Sequence, residues 1–200
     1  MLEIRIHGHG GQGTVTLAEL VAHGQLNVGR YVQTLPFFGM ERRGAPVKTA
    51  MRLSDTEIML RSQVYQPQLL VVLSEGLVSA SLQQGLHSRG VMLVNGVEER
   101  TAEGSDGKPG GDVPACRVDA WGIARAHNLM LMGQPLINIP MFGAMAKMLG
   151  LTEEAVAESI AWKWPVGNES SVRAALLGYA EVRGVESLPY VEEWKGRLPA

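Results

Sequence analysis

Cysteine is nearly absent: Cys116 is the only one in 200 residues. A single thiol closes no internal disulfide and cannot by itself hold a cysteine-ligated iron–sulfur cluster or a structural zinc. It fits a reducing compartment. Aromatic residues are scarce at 6%, so a core must rest on aliphatic side chains and on the 10 methionines. Charged residues make up 19%, below the roughly one quarter usual for soluble proteins. That deficit fits a surface partly covered by partners. No long run of Lys or Arg occurs and the formal net charge is −2. Nothing offers a phosphate-tracking face, which argues against nucleic acid as a partner. No stretch approaches the ~20 apolar residues needed to span a bilayer. The start, Met1-Leu2-Glu3-Ile4-Arg5-Ile6, lacks the basic-then-apolar layout of a signal peptide. A cytoplasmic protein without a membrane span is expected.

Hydrophobic residues reach 46%, enough for one substantial core in a chain of this length. Residues 2–7 alternate as a strand and stop at Gly8-His9-Gly10-Gly11-Gln12-Gly13. An apolar stripe of helical period over 14–28 follows, with Gly29 as a stop and a second strand at 30–35. Residues 36–46 read as an ordered loop. Residues 47–53 and 57–62 read as a hairpin around Ser54-Asp55-Thr56. The apolar run 69–73 suits a strand buried on both faces. A helix over 76–86, a strand at 91–95, a polar loop over 98–112 and a strand within 113–118 come next. Asp119 caps a helix over 120–127, and 136–139 is a short apolar segment. Helices are expected at 143–149, after Thr152-Glu153-Glu154, and from Asn168-Glu169 to about 183. Strands alternating with helices predict an α/β fold: a mostly parallel, Rossmann-like open sheet with helices on both faces and an antiparallel hairpin. Residues 1–184 are read as one domain and 185–200 as a C-terminal arm.

Gly8, Gly10 and Gly13 satisfy G-x-G-x-x-G between a strand and a helix. Glycines let a ligand approach the backbone, and a helix N-terminus offers free N–H groups to an anion. A dinucleotide site also wants an acid about 20 residues on, at the end of the second strand. Gln33, Thr34 and Leu35 stand there instead. Three readings stay open: a dinucleotide turn, with Arg42 and Arg43 favouring a 2′-phosphate; a turn for another phosphate or a partner; a tight packing turn. The following loop, Phe37-Phe38-Gly39-Met40-Glu41-Arg42-Arg43-Gly44-Ala45-Pro46, should leave the same carboxyl edge of the sheet. Its glycines and prolines favour a fixed conformation, and arginine suits bidentate recognition of phosphate or carboxylate. Gly10, Gly11, Gln12, Gly13, Glu41, Arg42, Arg43 and Gly44 are therefore the candidate residues for a ligand or an interface. No residue is assigned a catalytic role, and no metal site is expected: His7 and His9 lack a third ligand in sequence. Cys116 sits beside Arg117, a neighbour that would lower a thiol pKa. Ser74-Glu75 follows a buried strand end at the same edge. Met130, Met132, Met141, Met145 and Met148 read as packing or interface residues, and His23, His87 and His127 as surface or packing residues.

Residues 6–13, then Phe38-Gly39-Met40-Glu41-Arg42-Arg43-Gly44-Ala45-Pro46-Val47, then Leu60-Arg61-Ser62 resemble the gamma subunit of pyruvate and related 2-oxoacid:ferredoxin oxidoreductases. Asn138-Ile139-Pro140-Met141-Phe142-Gly143-Ala144 and residues 163–168 resemble its C-terminal half. Met40 stands where proline is expected, and Phe142 where leucine is usual. The resemblance implies a complex that oxidatively decarboxylates a 2-oxoacid on thiamine diphosphate with Mg. Electrons pass through iron–sulfur clusters to ferredoxin or another acceptor, and the acyl group passes to coenzyme A. It places thiamine diphosphate and clusters on alpha, beta and delta-type partners. The loop looks more like that of pyruvate, branched-chain or aryl-2-oxoacid enzymes (phenylglyoxylate, for example) than of 2-oxoglutarate enzymes. Against it stand two alternatives: a stand-alone NADP-binding reductase and a purely structural scaffold subunit.

Overall fold

The computed structural model describes residues 1–37, 45–78, 85–97 and 113–184. Six strands form one sheet in the order β2-β3-β1-β4-β5-β6: β1 Leu2–His9, β2 Tyr31–Pro36, β3 Pro46–Ser54, β4 Leu69–Val72, β5 Val91–Asn95 and β6 Ala115–Val118. The pairs β1–β4, β4–β5 and β5–β6 are parallel. The pairs β1–β3 and β2–β3 are antiparallel. The sheet is therefore mixed and mostly parallel, with the antiparallel hairpin at one side.

Along β1, burial alternates residue by residue, as a strand's two-residue period requires. Leu2, Ile4 and Ile6 join Met51, Leu53, Leu69, Val71 and Leu93 in the larger core. That face carries helices α1 Thr14–Asn27, α2 Ala120–Ala126, α3 Asn138–Met148, α4 Glu153–Lys163 and α5 Glu169–Glu181. On the opposite face Leu70, Val72, Met92 and Val94 pack under Leu77 of a 3-10 helix (Glu75–Leu77), with Val78 and Leu86 beside it. β4 has no solvent-facing side, so all four of its residues are buried and its sequence is a continuous apolar run.

Local chemistry fixes several boundaries. Gly29 and Gly150, at φ 79 and 76, end α1 and α3 in the left-handed region that favours glycine. The Asp119 carboxylate accepts the Gly122 N–H at 2.8 Å, and the Thr152 hydroxyl accepts the Ala155 N–H at 3.2 Å. Both are the caps their sequences announce. Asn168 stands at the N-cap of α5 but makes no cap bond; its amide donates to the Trp164 carbonyl at 2.7 Å.

Four expectations are corrected. Residues 57–62 form no strand. Instead β2 pairs with β3 along residues 31–36 and 49–54, and β1 takes the other side of β3, so β3 has no free edge for 57–62. That segment is tied on by side chains: Gln33 Nε2 donates to the Leu60 carbonyl at 2.9 Å, and Arg52 reaches the Gln63 carbonyl at 3.1 Å. Next, α3 begins at Asn138 rather than Gly143. Pro140 is its third residue, where a missing N–H costs nothing and the fixed φ is helical. Residues 136–137 thus link a small hairpin, β7 Met130–Leu131 with β8 Gln134–Pro135, to this helix, and 138–139 open it. The last helix stops at Glu181, and Arg183 turns back to bridge Arg117 on edge strand β6 through bonds of 3.1 and 2.9 Å. Finally, Cys116 is fully buried and burial pushes its thiol up to about 12. Arg117 is no activator, because in a strand adjacent side chains face opposite ways; its guanidinium pairs with Glu75 at 3.1 Å. Of the helix expected over 76–86, residues 79–84 lie outside the described residues, as do the polar loop 98–112 and the arm 185–200.

Candidate functional site

β1 runs into the glycine turn without a break. The backbone crosses from strand to helix in four residues, Gly10 to Gly13, with Gly11 at φ 96 and Gly13 at φ 76. Two contacts brace the turn from within: the Gln12 side-chain carbonyl accepts the His9 N–H at 2.7 Å, and the Gln12 N–H donates to the His9 carbonyl at 3.0 Å. Gln12 therefore shapes the turn. Gly10 is tied outward, its N–H donating to the Ala45 carbonyl at 2.9 Å.

That bond joins two stretches far apart in sequence. β2 is antiparallel to β3, and β3 to β1, so β2 and β1 point the same way and both end at one rim. The chain leaves β2 through Phe37 and re-enters β3 from Ala45, and both residues sit at that rim. Glu41, Arg42, Arg43 and Gly44 lie outside the described residues.

Behind the turn lies a cavity of about 540 Å³. Its polar side is made by His9, Gly10, Gly11, Lys48 and the first turn of α1. The first N–H groups of a helix have no intrahelical acceptor. Here Gly13 supplies no side-chain cap, and no acid stands in the first turn. The Lys48 ammonium lies 4.4 Å from the centroid of the Phe37 ring, which holds that charge at the mouth. The other side is apolar: Leu131, Leu136, Ile139, Trp164 and Val166. Thr14 and Thr49 close the floor, their hydroxyls 3.3 Å apart.

Three helices begin at this cavity. Besides α1, the first residues of α3 (Asn138, Ile139) line it, as do Gly167 and Ser171 around the start of α5. Each contributes the positive end of its dipole. Asn138 is 4% exposed, its side chain presses on Gly13, and its Oδ1 has no hydrogen-bond partner among the described residues. Sequence reasoning passed over Asn138, Trp164 and Ser171 as functional residues. The signal was Pro140, which fixes a helix start nearby and so puts Asn138 at its end.

His7 lies on β1 two residues before His9 and pairs in register with Lys48. Burial, then the charges of Arg5 and Lys48, lower its imidazole to about 4. It is neutral at pH 7. No group of three His, Cys, Asp or Glu side chains that could hold a metal occurs among the described residues, and among them no helix is long and apolar enough to cross a membrane.

The sheet order, the helix springing from a glycine turn and the cavity at the carboxyl rim define a Rossmann-like α/β protein of the kind that takes ligands at strand ends. The family model for pyruvate ferredoxin/flavodoxin oxidoreductase matches residues 3–181. The chain is 41% identical over 186 residues to the pyruvate synthase subunit PorC of Methanothermobacter thermautotrophicus, covering 91% of this chain and 96% of that one. It is 42% identical over 164 residues to the pyruvate/ketoisovalerate oxidoreductases common subunit gamma of Thermococcus kodakarensis, covering 80% and 85%. The crystal structure of the pyruvate oxidoreductase subunit PORC from Thermotoga maritima superposes with a TM-score of 0.76 at 31% identity, covering 91% of this chain and 97% of that one. The chain belongs to the pyruvate ferredoxin/flavodoxin oxidoreductase family, as the gamma subunit of a pyruvate/2-oxoacid:ferredoxin oxidoreductase complex, and it is not catalytic alone.

Proposed function

We propose that this subunit supplies part of the wall that receives coenzyme A in a cytoplasmic complex oxidising a 2-oxoacid to an acyl-CoA and CO2. The oxoacid is pyruvate, a branched-chain acid or an aryl acid such as phenylglyoxylate. Thiamine diphosphate, Mg and the iron–sulfur clusters reside on alpha, beta and delta-type partners, from which ferredoxin or another acceptor takes the electrons. With one cysteine and no metal-ligating cluster among its described residues, this chain's own task is to bind and orient.

The observation that carries the reading is the bond from the Gly10 N–H to the Ala45 carbonyl. It sets the glycine turn, the uncapped start of α1 and both flanks of the Arg42/Arg43 loop around one rim. Helix-end N–H groups and guanidiniums are the donors that phosphate oxygens take. Arg42→Ala and Arg43→Ala in the assembled complex are expected to raise the coenzyme A KM by about 10- to 100-fold, the worth of a charge-assisted hydrogen bond. Assembly is followed separately by size exclusion. Wild-type values for both KM and assembly would refute the reading.

A second reading has its own support. Leu131, Met132 and Val166 are 57%, 77% and 90% exposed beside the cavity, and large exposed apolar side chains mark contact surfaces. If the rim serves only to dock a neighbour, the arginine variants lose assembly while coenzyme A KM in the residual complex stays unchanged. The proposed working unit is residues 1–184. Mass spectrometry of the subunits that co-purify with the chain at native expression level tests the partner assignment.

A further inference from the structure

The two edges of the sheet are finished differently. At β6 the outer side is taken by Arg183, which exchanges backbone bonds of 3.1 and 2.9 Å with Arg117. At β2 the outer side is open. The Phe37 N–H donates to the Lys48 carbonyl, so in this antiparallel register Tyr31, Gln33 and Leu35 bond to β3. The alternate residues Val32, Thr34 and Pro36 aim their backbone groups away from it. No backbone partner meets Val32 or Thr34 among the described residues. An open edge is a template for another strand, and proteins usually blunt it with charge. Tyr31 to Pro36 carry none. On the face away from α1, Tyr31 and Leu60 flank this edge half exposed, and Gln33 holds Leu60 there by its carbonyl.

The outward groups of β2 fit a copy of themselves. With a two-fold axis at Gln33, antiparallel pairing sets Val32 of each copy opposite Thr34 of the other, and both pairs exchange backbone bonds in both directions. Farther out, Arg30 meets Pro36. Proline has no N–H, and the Arg30 N–H already donates to the Gln25 carbonyl at 3.0 Å, so the pairing ends there with no donor stranded. Moving the axis to Thr34 would set Pro36 against Val32 and leave the Val32 carbonyl without a donor. Moving it to Val32 would set Arg30 against Thr34, with the same loss for the Thr34 carbonyl. A foreign strand running the length of β2 would place a carbonyl against Pro36 and find no donor. On the face away from α1, Tyr31 lies across from Leu35 of the second copy, in a non-hydrogen-bonded pair where side chains come closest. The Gln33 side chains meet at the axis with their hydrogen bonds already made, to Arg52 at 2.8 Å and to the Leu60 carbonyl at 2.9 Å. We infer that β2 is a self-association edge: two copies of this chain join β2 to β2 about a two-fold axis at Gln33, and one sheet runs through both.

The test uses the full-length chain, alone and in the complex as purified. Wild type sediments at equilibrium as a dimer. Thr34→Lys, a change at an exposed side chain, raises the dimer dissociation constant by at least about tenfold, because charge blunts an edge, and leaves Tm within a few degrees. Cysteine pairing reads the register. The native thiol, Cys116, is buried, so crosslinks report the introduced residues. Tyr31→Cys with Leu35→Cys gives a covalent dimer on mild oxidation. Tyr31→Cys alone does not, because its two copies lie on opposite sides of the axis. A wild-type chain that stays monomeric, a dimer that Thr34→Lys leaves unchanged, no crosslink from the double variant, or one formed as readily by Tyr31→Cys alone would each overturn the inference. So would a crosslink in the complex from Tyr31→Cys to a different subunit, which gives the edge to another chain.

Discussion

A Cβ on Gly13 would lie 2.6 Å from the Asn138 side-chain nitrogen, at a residue whose φ of 76 already strains any L side chain. The left-handed conformation alone costs a non-glycine residue about 1–2 kcal/mol. Gly13→Ala should therefore lower stability by at least that much, read as a fall in Tm. Gly11→Ala meets open space and should show only the conformational part. His7 makes a different forecast. Its imidazole titrates near 4 when folded, against 6.5 for the free side chain. Between those values the unfolded chain takes up a proton that the folded chain refuses. The stability linked to His7 is thus complete above about pH 6.5 and drains away as pH falls towards 4. Urea midpoints measured at pH 7 and pH 5 should differ less for His7→Gln than for wild type.

Arg52 shows how an element can be set by one side chain. It is fully buried in β3 and donates to Glu3 on β1 at 2.8 Å, to Gln33 on β2 at 2.8 Å and to Ser62 at 3.3 Å. A guanidinium with its fork of donors can tie three strands and a crossing segment together. Arg52→Ala would strand the Glu3 carboxylate, a loss of about 3–5 kcal/mol. Arg52→Met should cost less at β3 itself, and double-mutant denaturation with Glu3→Gln measures the coupling. At α3 and α5 the constraint is space: Gly143 and Gly178 face backbone of the opposite helix, where a Cβ would collide with the Ala175 and Pro140 carbonyls. Gly143→Ala must push the two helices apart and move Asn138 with them. These elements also show what the sequence made legible. β1, the glycine turn and α1 were readable because period, turn chemistry and helix start all agree. The hairpin was misplaced because residues 57–62 are partly apolar and follow a turn sequence, yet pairing is decided by which edge is free, a property of the whole sheet. The start of α3 was read late because residues 136–139 look like a separate short apolar segment until Pro140 is placed in a first turn.

For the molecule as a whole, the site was half legible. The G-x-G-x-x-G turn announced the start of α1; the basic pair Arg42 and Arg43 lies outside the described residues. Asn138, Trp164 and Ser171 are 120 and more residues away from the turn, and only packing of α3 and α4 against α1, with α5 packed on both, brings them to it. The exposed trio Leu131, Met132 and Val166 extends the same surface outward. Met132 holds φ 50 next to Gly133 at φ 81, so the hairpin tip carries a methionine where asparagine or glycine would sit more easily. Replacing Met132 and Val166 with Ser should leave the Tm of the isolated subunit within a few degrees and reduce the amount recovered in the complex, measured by co-purification.

The strut between Gly10 and Ala45 carries one more implication. A neighbouring subunit gripping the chain near Ala45 would bear on the turn at the cavity through that bond and the β1–β3 ladder beside it. Docking and filling the cavity would then be linked events, and linkage runs equally both ways. If the cavity takes coenzyme A as proposed, any factor by which assembly tightened the grip on that thiol would be the factor by which the thiol tightened the assembly, and a loaded complex would dissociate on dilution more slowly than an empty one.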